Sequence, residues 1–480
     1  MTARRRSSRP FLAFYLVALA LFLSACGGGG GSSSSGSASS APSGADEASA
    51  AALAFISVNT DLSSGQWDAV NKLLAKFPGK DKLLADMRQS FEADSGVSWE
   101  QDVKPALGPE IDIVVLDAQG ATVGLTQPKD EAKFDALVAK AKAQDGNLVT
   151  EKVGDWTVIS DKQASIDLFK QGSSGSKLAD DETFKTATGT LADEALAKVY
   201  VNGAQAKQAA QNNASGVSVG DFEWAAAELV AQDEGVKLDG TIKGQPLGSV
   251  NQPASYTPKL LADVPSGALM VLDFKGGKQN LDQLNNPGLG QLQGFLQVAK
   301  GLTPIFENET VAFVAPGTPF PEVTIVAEPE NPQLAVASMT QLATQLGALA
   351  GGVTPRQTQI EGKPVTELNF GQFAVLYGVV DGKLVVSSSR AAISGRSGGS
   401  LEDDAVFKDA KAAAGMPDSV GGFLYVNLKA GIPVLESFAQ VAGSALPPQV
   451  SENISPLESF IAFGSGDSSE TKFGSFLRIE

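Results

Sequence analysis

The sequence predicts an α+β fold: two tandem copies of a unit with a large antiparallel sheet and helices on one face, after a disordered tether. Three observations carry this. A phrase recurs, Leu178-Ala-Asp-Asp-Glu-Thr-Phe-Lys185 against Leu401-Glu-Asp-Asp-Ala-Val-Phe-Lys408, with five of eight positions identical. Short alternating segments follow one another too closely for the crossovers a parallel sheet needs. Between them run segments with apolar residues at helical spacing.

The repeat extends beyond its phrase, and its elements keep their order. Upstream, Ile111-Asp-Ile-Val-Val115 with Thr122-Val-Gly-Leu-Thr126 matches Thr310-Val-Ala-Phe-Val314 with Val323-Thr-Ile-Val326. A helix follows in each copy, Ala132 to Ala143 and Pro332 to Leu349. Next comes a strand ending in Ser, Thr157-Val-Ile-Ser160 and Leu384-Val-Val-Ser387. After the phrase come Val199-Tyr200-Val201-Asn202 and Leu424-Tyr425-Val426-Asn427. Each copy closes on a hairpin. Glu223–Ala231 turns through Asp233-Glu234-Gly235 into Val236–Ile242, and Phe460–Phe463 turns through GSGDSS into Phe473–Ile479. The strands alternate apolar with small or polar residues, as antiparallel strands with one wet face do. Trp67, Val70, Leu73, Leu74 and Phe77, and then Phe134, Leu137 and Val138, mark amphipathic helices. The copies are placed at 53–245 and 262–480, joined by a Gly/Pro/Ser-rich linker at 246–261.

Composition excludes much chemistry. The 480 residues hold no His, which removes Ser-His-Asp and Cys-His mechanisms and His metal ligands. One Cys removes internal disulfides and Cys-rich metal sites. A net charge of −17 argues against nucleic acid, which needs clustered Lys and Arg. No cofactor motif stands out.

The N-terminus carries Arg4, Arg5, Arg6 and Arg9 ahead of an apolar run from Phe11 to Leu23. That run is shorter than the ~20 residues that span a bilayer and reads as a signal peptide over residues 1–25. It ends in Leu23-Ser24-Ala25-Cys26, which resembles the lipobox of bacterial lipoproteins. The resemblance implies that Cys26 is diacylated and becomes the first residue of the mature chain, with two or more acyl chains for stable anchoring. Cleavage there removes four arginines and no acid, so the net charge moves from −17 to −21. An anionic membrane repels such a body, so the lipid must hold it. From Cys26 to Ala52 the chain is Gly/Ser/Ala-rich and reads as a flexible tether of ~25–30 Å reach.

Lipobox, tether and paired units together resemble an uncharacterised family of bacterial surface lipoproteins with a duplicated domain of unknown function. The residues are Ala54-Phe-Ile-Ser-Val-Asn59 at the unit's opening and the Leu-x-Asp-Asp-x-x-Phe segment before a Tyr-Val-Asn strand. The resemblance implies fold and surface placement, not an activity. The second copy opens with Leu269-Met-Val-Leu-Asp273, so the Ser-Val-Asn phrase is not a site common to both.

Other candidates have structural readings. Asp180-Asp181 and Asp403-Asp404 suit helix capping better than paired acid–base or Ca²⁺ chemistry, because neighbours at a helix start do not converge on one ligand. Asn59, Asn202 and Asn427 suit the turn from strand to helix. Tyr200 and Tyr425 suit the sheet face. The glycines of 286–294 miss the dinucleotide spacing. The sequons at Asn213, Asn308 and Asn453 are short enough to arise by chance. Lipidation at Cys26 is thus the one site assigned; no catalytic, cofactor or metal residue is. The expected protein is non-enzymatic and anchored by its acylated Cys on the extracytoplasmic face of the cell membrane. Its partner is an envelope protein, a wall component or an apolar ligand such as lipid, and not nucleic acid. A His-free hydrolase is the remaining alternative.

Overall fold

The computed structural model describes residues 43–480 apart from 145, 213–221, 245–253, 277–301, 319, 350–351, 372, 396–398, 442, 444–445 and 468. The chain divides into two compact units, Met1–Gly248 with Pro448–Ile454, and Ser249–Pro447 with Ser455–Glu480.

Among the described residues eight strands build the first unit. They are β1 (Ala54–Asn59), β2 (Glu110–Val115), β3 (Thr122–Thr126), β4 (Val149–Val153), β5 (Trp156–Ser160), β6 (Ala197–Asn202), β7 (Trp224–Gln232) and β8 (Gly235–Lys243). All pair antiparallel, in the order β4-β5-β3-β2-β1-β6-β7-β8. The β7–β8 hairpin closes with Gln232 opposite Gly235, leaving Asp233 and Glu234 in the turn. The helices are α1 (Gly65–Ala75), α2 (Lys80–Ser95), α3 (Glu131–Gln144), α4 (Gln163–Ser173), α5 (Glu182–Thr188) and α6 (Gly203–Asn212). Helix α2 stops at Gly96, whose φ of 63° is left-handed and favours a residue without Cβ.

The helices cover both faces of the sheet, where one was expected. Val158 packs with Phe169 of α4 and Phe184 of α5. Its neighbour Ile159 points the other way and packs with the cluster of Trp99, Phe134 and Leu137. Adjacent strand residues face opposite sides, so two apolar neighbours require cover on both. The packed body also starts earlier than composition places it. Ser43–Asp46 form a 3₁₀ turn, and Ala45, Ala48 and Ala52 are buried in the core. The Ala48 carbonyl accepts from the Leu178 amide, and the Ala50 amide donates to the Ser176 carbonyl. Alanine is read as linker in a Gly/Ser/Ala stretch, yet its methyl suits a segment pressed against a sheet.

Ten strands build the second unit among the described residues. They are β9 (Met270–Lys275), β10 (Glu309–Ala315), β11 (Glu322–Ala327), β12 (Arg356–Ile360), β13 (Lys363–Asn369), β14 (Ala374–Val380), β15 (Lys383–Ser387), β16 (Gly422–Asn427), β17 (Leu457–Gly466) and β18 (Glu470–Ile479). Their order is β12-β13-β14-β15-β11-β10-β9-β16-β17-β18, all antiparallel. From β14 to β18 this is the first unit's order, with β12–β13 added at one edge. Among the described residues three helices of eight or more residues accompany it: α7 (Pro332–Leu349), α8 (Ala405–Ala414) and α9 (Leu428–Val441). Helix α7 shares a cluster with Leu384, while Val385 joins the core with Phe407 of α8, so this sheet too is covered on both faces.

A strap leads into each sheet by the same bonds. The Leu269 amide donates to Val314, as Leu53 does to Val115; Leu401 donates to Val264, as Leu178 does to Ala48. Part of the expected linker is therefore packed: Tyr256 bridges to Val420, and Leu260–Asp263 form a 3₁₀ turn with Leu260 fully buried. The short helix Pro448–Ile454, expected within the second copy, groups with the first unit. Asn453 Oδ1 there accepts the Gly79 amide at 2.8 Å, a donor that the start of α2 leaves without a helical partner.

Candidate functional site

Cys26 lies outside the described residues, as do Asn213 and the glycines of 286–294. The second Asp of each repeated pair caps a helix. Asp181 accepts from the Phe184 amide at 2.8 Å to start α5, and Asp404 accepts from the Phe407 amide at 2.9 Å to start α8. Asp404 also accepts from the Ser266 hydroxyl and the Gly267 amide, both at 2.9 Å, and so ties the strap down. Burial opposes its charge, but these donors outweigh burial and hold the carboxyl below the usual range. Asn202 and Asn427 end β6 and β16 and cap the next helix through the Gln205 and Ala430 amides; Asn59 turns the chain through the Asp61 amide. Tyr200 and Tyr425 are core residues, stacked edge-on against Phe184 and Phe407 at 5.0 and 5.1 Å.

The sequence did not single out a set of buried acids under the straps. In the first unit Asp112 on β2 is fully buried and faces Ser57 across the β1–β2 ladder. Its carboxylate oxygens have no hydrogen-bond partner among the described residues, and Gly44 lies so close that a Cβ there would meet the carboxylate at 2.0 Å. Burial, then the charge of Glu110, drives its pKa well above the normal carboxyl range. In the second unit Asp273 on β9 takes the hydrogen bond of the Tyr256 hydroxyl. Burial, partly offset by that bond, raises it to about 7. Nearby, Glu309 Oε1 accepts the Lys259 and Leu260 amides at 2.7 and 2.6 Å, the open start of the Leu260–Asp263 turn. Burial raises this acid too. Asp273 and Glu309 hydrogen-bond the strap to the sheet, and Asp112 packs under Gly44 of the other strap; Asp112 and Asp273 are fully buried, away from any substrate in solvent.

A cavity of about 300 Å³ lies in the second unit. Its inner wall is apolar and buried, formed by Val264 of the strap, Phe313 of β10, Val326 of β11 and Val385 of β15. Lys363 and Lys383, Asp263 and Asp381 also line it. Lys383 Nζ pairs with Asp263 at 2.5 Å. Lys363 Nζ donates to the Ile393 carbonyl at 3.1 Å, at the end of the short helix Ala391–Ser394. Lys363 opens β13, in the hairpin that extends this sheet beyond the first unit's order. Sequence reasoning passed over that hairpin, although Gln359-Ile360-Glu361-Gly362-Lys363 carries its signal: Glu361 and Gly362 take φ of 51° and 80°, the type I′ turn that joins two strands.

Three solved chains match the protein. Crystal form IV of TP0453 shares 13% identity, covering 43% of this chain and 74% of that one, with a TM-score of 0.23. Crystal form I of the same protein shares 6% identity, covering 42% and 78%, with a TM-score of 0.24. No curated protein matches the chain. Among the described residues no helix is long and apolar enough to cross a membrane. A family model described as a protein of unknown function (DUF3352) matches residues 136–479, well over half of the chain, and the protein belongs to that family.

Proposed function

We propose that the protein is a lipid-anchored, extracytoplasmic binding protein of the cell envelope, built from two copies of one unit, that performs no catalysis. The carrying observation is the placement of the chain's single Cys, directly after a basic segment and a 13-residue apolar run, in Leu23-Ser24-Ala25-Cys26. A lone exported thiol otherwise needs a partner. Shared strand order and matching strap bonds support the copying. The cavity of the second unit supports binding of a small ligand, because concave sites that set fixed polar groups beside an apolar wall are where ligands lodge. An acidic body on two or more acyl chains is held by insertion of those chains, not by charge.

The test is Cys26→Ala expressed in a bacterium that processes lipoproteins. Labelling with a palmitate analogue and partition into the detergent phase should both vanish. Unchanged labelling refutes the anchor. Turnover of a small-molecule substrate by the purified body would refute the absence of catalysis.

A further inference from the structure

We propose that the cavity of the second unit binds a small amphiphilic carboxylate, its chain against Phe313, Val326 and Val385 and its head group on the Lys363 ammonium. This rests on the binding-protein reading and names the ligand class. The volume of about 300 Å³ holds roughly ten water-sized groups at ~30 Å³ each, the size of a medium-chain acid. The inner wall offers such a chain buried hydrocarbon.

The charges at the cavity distinguish the two lysines. Lys383 is already matched by Asp263. Lys363 donates one proton to a carbonyl and makes no ion pair among the described residues, which leaves two N–H donors for a carboxylate. Asp381 also lines the cavity but stands exposed in the β14–β15 turn, where water and salt screen it; Lys363 is half-buried.

The first unit differs at the corresponding place. Glu47 stands in its strap where Asp263 stands in the second, one residue before the carbonyl that takes the Leu178 or Leu401 amide. Glu47 pairs with Lys177 at 3.1 Å, and Gly154 of the β4–β5 turn lies so close that a Cβ would meet its carboxylate at 2.9 Å. Among the described residues no hairpin flanks β4 to supply a second lysine. The added β12–β13 hairpin thus brings the free cation to the cavity.

The measurement is calorimetric titration of sodium octanoate, with octan-1-ol as neutral comparator, into the full chain carrying Cys26→Ala. That protein keeps the whole body and has no acyl chain whether or not the anchor proposal is right, so the two ideas fail separately. Saturable one-to-one octanoate binding is expected. Lys363→Met should weaken octanoate at least tenfold and leave octanol unchanged. Ala392→Leu, which grows from the short helix into the cavity, should weaken both at least tenfold. Lys363→Gln serves if Lys363→Met melts below the parent protein. Absence of saturable octanoate binding, equal affinity in the lysine variants, or tighter binding of octanol overturns the proposal.

Discussion

The first and second units each bury an acid at the same point of the sheet, but on different strands. Tyr200 faces Phe55 and Tyr425 faces Val271, so the ladders align with Ser57 matching Asp273 and Asp112 matching Val311. The first unit therefore carries Ser on the central strand and Asp beside it; the second carries Asp on the central strand and Val beside it. The straps differ to suit. One brings Gly44, small enough to lie against a carboxylate, and the other brings Tyr256, which donates a hydrogen bond. In the second unit the buried acid is hydrogen-bonded to its strap; in the first the strap packs against it through a glycine. The units diverge further at the sheet edge, where among the described residues the β12–β13 hairpin is added in the second unit and Lys363 at its start lines a cavity.

The largest effect should come from breaking the aromatic clusters that the units share. Phe184 packs edge-on against Phe55 and Tyr200, and Phe407 contacts Phe423 and Tyr425. Each Phe→Ala should cost about 3–5 kcal/mol. In a thermal melt Phe184→Ala should lower one transition and Phe407→Ala another. If both lower the same transition, the units do not fold independently.

Next is the pH effect of Asp273 in the second unit. Asp273 sits at about 7 folded, against ~4 for an unfolded Asp. Between those values the folded chain holds a proton that the unfolded chain releases. Stability from this group therefore falls as pH rises from 4 to 7 and stays low above 7. The fall is on the order of 2–4 kcal/mol, and Asp273→Asn should flatten it. A denaturant midpoint that keeps the same pH slope in the variant would remove Asp273 as the cause.

The smallest effect separates the caps. Asp181→Ala should cost about 1 kcal/mol. Asp404→Ala should cost more, up to about 2 kcal/mol, because it also frees Ser266 and Gly267 of the strap. Its folded pKa is depressed, so that contribution is present above pH ~4 and is lost as pH falls through the folded value. Chemical denaturation at pH 7 and pH 3 reads both; equal costs for the two caps would show that the strap contacts add nothing.

Much of the fold was legible. The Asp-Asp phrases gave caps where the following Phe begins a helix, the Val-Asn phrases gave strand ends, and closely spaced alternating strands gave an antiparallel sheet. Three things were hidden. The straps at 43–52 and 254–261 read as linker because alanine, proline and serine have the same composition in a packed strap as in a free one. Cover on both faces was missed because Val158 and Ile159, or Val385 and Val386, form short apolar runs that mask the alternation. The cavity was invisible because its walls come from residues more than a hundred positions apart, from Ala262 to Ser400.

By itself the sequence determined the local chemistry: helix caps, hairpin turns and the order of elements, all fixed by neighbours within about ten residues. Tertiary structure alone decided which strand carries the buried acid, where each strap docks and that Lys363 lines one cavity with Phe313 and Val385. Those outcomes depend on pairing between distant strands, and a two-residue periodicity sets only which face a side chain takes, not what lies opposite it.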